Sequence, residues 1–125
     1  MDFEAKIAEL GLLIPKPAKP AGSYKPCVIV DNIAYISGQG PLLEDGSFAK
    51  GKVGADVDLE TAQNHAKLCG LAILSALKNE IGSINKVDQL IKLTGFVNCI
   101  ESFTQQPLVI NGCSNMMKDI FGETG

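Results

Sequence analysis

The sequence contains no arginine: all 11 of its basic residues are lysines, against 14 acidic ones, for a formal net charge of −3. Arginine supplies the fixed two-pronged fork that grips carboxylates and phosphates. Any anion site in this chain must therefore rely on lysine, on backbone N–H groups or on another molecule. A basic nucleic-acid face is equally hard to assemble, because Lys16, Lys19 and Lys25 form only a sparse cluster on a proline-rich stretch. Histidine is represented once, at His65, and the four cysteines, Cys27, Cys69, Cys99 and Cys113, are scattered singly without a C-x-x-C pair. That pattern speaks against a zinc site and for small apolar thiols in a reducing compartment. Cys113, close to polar residues, is the one position where a reactive thiol is an alternative to that reading, and no mechanism is built on it. No window approaches the roughly 18 to 20 consecutive apolar residues that a membrane span needs. The N-terminus has neither the basic start nor the apolar core of a secretory signal, which implies a cytoplasmic protein.

What is present is enough for one domain. The chain has 125 residues, 46% of them hydrophobic and 20% charged, a length at which folding buries roughly two-thirds of the unfolded surface. Residues 1–125 are accordingly treated as a single domain.

The most informative stretch is Asn-Ile-Ala-Tyr-Ile-Ser-Gly-Gln-Gly-Pro at 32–41. Its β-branched and aromatic run stops at Gly38, Gly40 and Pro41, as a strand does on entering a tight loop. Glycines there let backbone N–H groups approach a ligand closely, and Ser37 and Gln39 add a hydroxyl and an amide. An ordinary glycine turn gives the same pattern.

Along the chain, Phe3, Ile7 and Leu10 sit at helical spacing before Gly11, predicting a short surface helix over 2–10. The prolines of 14–20 exclude helix and central strand, so this piece should run extended. Strands are predicted at 27–30 and 33–37, joined by an Asp31-Asn32 hairpin turn. Residues 42–54 read as an irregular excursion turning at Asp45-Gly46, with a short strand near 47–49. The clearest helix is 58–81, with Asp58 as N-cap and an apolar face of Ala62, Ala66, Cys69, Ile73, Ala76 and Leu77; Gln63, Asn64, Lys67 and Lys78 lie elsewhere on it. His65 reads as a solvated helix position rather than a catalytic base. Apolar residues of both parities in 87–98 predict a central strand. A second helix is predicted within 103–121, starting near Gln106 or Pro107, in which Gly112 weakens the helix but allows close packing. Strand, strand, helix, strand, helix is an α+β order that leaves the sheet unfinished.

Five segments in this order resemble one known family: Pro20-Ala21-Gly22-Ser23-Tyr24-Lys25-Pro26, Tyr35-Ile36-Ser37-Gly38-Gln39, Gly51-Lys52-Val53-Gly54, Gly95-Phe96-Val97-Asn98, and Val109-Ile110-Asn111-Gly112 through Phe121-Gly122-Glu123. Together they look like the Rid family, also called the YjgF/YER057c/UK114 or endoribonuclease L-PSP family. The N-terminal helix and proline segment resemble a longer subgroup of it. The resemblance implies a chorismate-mutase-like fold, a mixed sheet with two helices packed on one face, assembled as a homotrimer with ligand clefts between subunits. It also implies hydrolysis of enamine or imine acids such as 2-aminoacrylate to 2-keto acids and ammonia, with neither metal nor cofactor. Carried over by position, Tyr24 borders the cleft, Ser37, Gly38 and Gln39 form its strand-end loop, Phe96 and Val97 line it, and Asn111 is a helical asparagine beside it. The same residues also suit plainer roles, Tyr24 as a capping aromatic, Phe96 as core and Asn111 as a polar helix position.

The departure from the family is that its carboxylate-binding arginine and final strands would lie beyond residue 125. The expectation is a domain lacking its last strands, with weak or absent deaminase activity. Binding of a small carboxylate by a regulatory trimer is the alternative. RNA cleavage or translation inhibition, suggested by the older family name, ranks third for want of phosphate-neutralising charge and an acid–base pair.

Overall fold

A computed structural model describes residues 2–125. Helix α1 (Phe3–Glu9) opens under the carboxylate of Asp2, which accepts from the Ala5 N–H, and closes with Gly11 at φ 71°. There the Gly11 N–H donates to Ala8 and the Leu12 N–H to Ile7, the paired bonds of a Schellman stop. The helix is as short as its spacing predicts, but it does not lie on the outside. Phe3 and Ile7 are buried, and the Phe3 ring meets Phe121 edge-on with centroids 4.8 Å apart. Two apolar residues one turn apart specify a face, and Phe121 is what covers it.

Glu4 fastens this helix to the rest of the chain. Its carboxylate accepts hydrogen bonds from the Lys78 ammonium and the Ser83 hydroxyl, and these, Lys78 first, hold its pKa below the usual carboxylate range. A depressed folded-state pKa contributes stability above the unfolded value, and that contribution is lost as pH falls through the folded one. Glu4→Gln should therefore reduce the fall in urea midpoint between neutral pH and about pH 3. It should not abolish the fall, because Asp45 and Asp58 are depressed as well. An unchanged acid slope in the variant would show that the Glu4 contacts do not form in solution.

After the unpaired proline segment, whose Pro15 carbonyl is held by the Ser75 hydroxyl at 2.7 Å, strands β1 (Cys27–Val30) and β2 (Ile33–Ile36) pair antiparallel. Asp31 and Asn32 both adopt positive φ, 48° and 65°, the primed-turn geometry that suits the right-handed twist of a two-residue hairpin. The short strand expected near 47–49 is a single bridge, Phe48 to Leu42, around the Asp45-Gly46 turn.

Helix α2 (Leu59–Ile81) begins at Asp58, whose side chain caps the Thr61 N–H, and ends at Gly82 with φ 88°. A 3₁₀ turn follows at Ile84–Lys86. Helix α3 (Gln106–Phe121) carries Pro107 in its first turn and ends at Gly122, where a second 3₁₀ turn, Gly122–Thr124, begins. The α2–α3 contact dominates the packing, and α2 also covers both strands. Gln63 lies against Leu108 and Gly112, whereas Gly70, two turns later, lies against Cys113, Met116 and Met117. Contacts that advance in the same sense along both helices make them parallel neighbours. Leu74, Ile84 and Phe121 are the largest fully buried side chains, at the centre of this core.

Residues 87–98 do not form the predicted central strand. Ile91 is 74% and Phe96 93% exposed, and apart from the Val87 bond that caps the preceding 3₁₀ turn, the segment's backbone bonds among the described residues reach Val53 and Thr124. A strand exists by pairing with another backbone. Here the pairing is confined to Val53, which bridges in parallel to Cys99 through bonds at 2.9 Å to Asn98 and 3.1 Å to Ile100. The α+β, chorismate-mutase-like architecture stands, with its sheet among the described residues limited to one hairpin and scattered bridges. No helix among these residues is long and apolar enough to cross a membrane.

Candidate functional site

Four of the seven candidate residues cluster at the open end of the hairpin. The Ser37 hydroxyl donates to the Lys25 carbonyl at 2.6 Å and its N–H to Pro26 at 2.9 Å. Those two bonds tie the end of β2 to the Tyr24 segment. Tyr24 is half exposed, and its hydroxyl accepts from the Ala21 N–H at 3.3 Å. The Gln39 side chain donates back to the Ser37 carbonyl at 3.2 Å. Gly38 has open space where a side chain would be.

Beyond Ser37 the backbone turns away from any partner strand. The N–H groups of Gly38, Gln39 and Gly40 donate to no acceptor among the described residues. Gly40 is needed for a different reason from Gly38, since a Cβ there would stand 2.9 Å from the Phe48 ring. The result is three unpaired backbone donors, each available singly to a carboxylate; neither Gly38 nor Gly40 has positive φ, so they do not form a converging nest, and the Ser37 hydroxyl proton is committed to Lys25.

The other three residues lie elsewhere on this chain. Phe96 projects almost completely into solvent, and Val97 is half-buried against the core. Their segment is anchored at Gly95, which lies so close to Ile110 of α3 that a Cβ would meet its Cδ1 at 2.3 Å. Asn111 is half-buried on α3 in a groove of about 280 Å3 between α2 and α3. That groove is lined by Gln63, Asn64 and Lys67 from α2 and by Asn111, Asn115 and Asp119 from α3, with Leu10 and Leu12 at one side. Neither the hairpin loop nor Phe96 lines it.

Of the remaining chemistry-bearing groups, Cys113 is buried in the α2–α3 contact, and burial pushes its thiol up to about 11. It is therefore protonated at neutral pH and packs as an apolar residue, as the reading of the cysteines as small apolar groups expects, and the reactive-thiol alternative falls away. Burial also raises the Cys27 and Cys69 thiols. His65 is half-buried on α2 and makes no side-chain hydrogen bond among the described residues. Of the two polar features, the N–H groups around Gly38 and Gly40 were anticipated in the sequence, and the polar stripe on α3 was missed. The second has a visible signal, since Asn111, Asn115 and Asp119 recur every four residues on one helix face.

The hairpin, the parallel helix pair behind it and the strand-end loop define a protein of the chorismate-mutase-like α+β class. The chain belongs to the family described as "YjgF/chorismate mutase-like, putative endoribonuclease", whose pattern matches residues 4–125. Protein TCP17 of Trypanosoma cruzi is 34% identical over 119 residues, covering 95% of this chain and 74% of that protein. The crystal structure of Atu1372, a protein of unknown function from Agrobacterium tumefaciens, is 40% identical with a TM-score of 0.86, over 98% of this chain and 74% of that one. A "putative endoribonuclease" from Shewanella oneidensis MR-1 superposes with a TM-score of 0.94 at 30% identity, over 99% and 82% of the two chains.

Proposed function

We propose that this protein hydrolyses reactive enamine or imine acids of the 2-aminoacrylate type to 2-keto acids and ammonia. The observation that carries the reading is the run of free N–H groups at Gly38, Gln39 and Gly40 beside Ser37. In the imine tautomer, water adds to the carbon of the C=N bond, the nitrogen takes up a proton, and the C–N bond of the carbinolamine breaks to release ammonia and a ketone. The protein's part is to hold the carboxylate and orient the water. In a chain without arginine, backbone donors and lysine are the groups suited to the first task.

The loop works in a cleft between copies of the chain in a homotrimer. Supporting this is the hairpin face turned away from α2, where Val28, Val30, Ile33 and Tyr35 are 36–59% exposed, while on the other face Cys27 is buried. An apolar hairpin face left in solvent is stabilised by further packing. The partners are thus a small keto or imino acid and two further copies of the same chain, in a cytoplasmic setting, and no metal or organic cofactor takes part in the proposed step.

The absence of arginine favours a second reading, carboxylate binding without turnover. Nucleic-acid cleavage is opposed by the net charge of −3.

The test is release of ammonia and pyruvate from freshly generated 2-aminoacrylate. Gly38→Pro removes one donor and should lower turnover about 100-fold. Gly38→Ala keeps the donor and fills open space, so its rate should stay within about twofold of the wild type. No acceleration by the wild type would leave the binding reading, and equal rates for all three proteins would remove the loop from the mechanism. Cleavage of RNA that weakens with added salt would overturn both.

A further inference from the structure

We infer that the groove between α2 and α3 is a second ligand site, independent of the hairpin loop, for a zwitterionic α-amino acid with an apolar side chain. Lys67 and Asp119 face into it from opposite helices. Neither is ion-paired, with the other or with any other described residue, and neither makes a side-chain hydrogen bond. An anion alone would meet Asp119 and a cation alone would meet Lys67, so a molecule carrying both charges satisfies the groove best.

The uncharged lining supports the same choice. Asn64, Asn111 and Asn115 each bring a carbonyl acceptor and an NH2 donor, and none is used within the described chain. Gln63 differs, because its amide is committed to the Leu108 carbonyl at 2.9 Å and helps fix the helix pair. Three free carboxamides can accept from an ammonium and donate to a carboxylate in the same small space. Leu10, Leu12 and Met116 supply the apolar portion. Leu12 follows the Schellman stop of α1, so this wall is held by backbone hydrogen bonds. A volume of about 280 Å3 suits a free amino acid and lies just below the range, from about 300 Å3, for pockets that take larger ligands.

The parallel packing sets the spacing. Gln63 is level with Gly112, so along parallel helices Lys67, four residues on, stands at about the height of Met116, and Asp119 lies roughly 5 Å further along. The two charges are thus offset along the groove, leaving room for a ligand between them.

The probe is leucine, titrated calorimetrically to about 50 mM to reach the millimolar affinities expected of an open polar groove. Two analogues separate its charges: 4-methylpentanoic acid keeps the carboxylate and isopentylamine keeps the amine. Leucine should bind, and both analogues should bind at least about fivefold more weakly. Lys67→Met and Asp119→Asn should each weaken leucine by a similar factor without altering the helical circular dichroism. The proposal is overturned if leucine does not bind, if either analogue matches it, or if folded variants bind it as tightly as the wild type. The analogue comparison needs only the wild-type protein, so it decides the matter even if a variant fails to fold. Gly38→Pro should leave leucine affinity unchanged; a parallel loss would mean that the amino acid occupies the hairpin loop.

Discussion

Phe121→Ala is expected to destabilise the protein by about 3–5 kcal/mol, read as a fall in the urea midpoint at unchanged slope. Phe121 is 1% exposed and is among the three largest fully buried side chains. Its ring is the surface on which α1 lies, through the edge-on contact with Phe3. Truncation removes the transfer free energy of the ring and leaves a cavity that α1 and α3 must close or tolerate. Because a domain of this size has about 5–15 kcal/mol in total, a loss of that order would bring it near the limit of folding. A second readout identifies the cause. If the cavity releases α1, the Glu4 contacts to Lys78 and Ser83 go with it, and the variant should lose the acid sensitivity that Glu4 contributes. A loss below about 1.5 kcal/mol would mean that α1 collapses into the space, and the Phe3–Phe121 contact would then not be what holds the helix in place.

That contact also marks a limit of the sequence reading. Spacing located α1, and Gly11 located its end, because both are local properties of the chain. Its burial depended on a residue 118 positions later in the chain, Phe121. The hairpin was legible for the same local reason: Asp and Asn tolerate positive φ, and alternating β-branched residues flank them. Asp58 as a cap and Pro107 in a first turn were equally readable. Residues 87–98 failed on the opposite ground. Alternating apolar residues state which faces are greasy, and they say nothing about whether a backbone lies alongside. Only Val53 does so here, and Phe96 is consequently in solvent rather than in the core.

The candidate site divides in the same way. Ser37, Gly38 and Gln39 were found because a strand ending in glycines is a local signal, and Tyr24 joins them through the Ser37 bond to Lys25. For Asn111 the four-residue stripe marks its own face of α3, and nothing local marks its neighbours on α2. Which residues share its groove depends on the register of α2 against α3, set by one close approach that the sequence hints at only through a glycine in mid-helix.

That approach gives the other large effect expected here. Gly112→Ala should destabilise by about 3 kcal/mol, although alanine is by itself the better helix former by about 1 kcal/mol. A Cβ at Gly112 would lie 2.0 Å from the Gln63 carbonyl oxygen and 2.7 Å from its carbon. Both belong to the α2 backbone, which cannot rotate aside as a side chain can, so the helices must part. Gly70→Ala provides the control at the same interface. Its Cβ would meet the Met116 Cε at 2.7 Å and the Cys113 Sγ at 2.8 Å. Both are side-chain atoms, the Met116 end free to move away and the thiol able to turn about its one side-chain bond, so strain should exceed the propensity gained and cost about 1 kcal/mol, well short of Gly112→Ala. Parting the helices at Gly112 also strains the Gln63 bond to Leu108 and widens the groove between Lys67 and Asp119. Leucine affinity should therefore fall in Gly112→Ala more than in Gly70→Ala, measured where both remain folded. Equal stability of the two variants would show that α2 and α3 do not touch backbone to backbone at this point, and the register that brings Lys67 and Asp119 into one groove would lose its support.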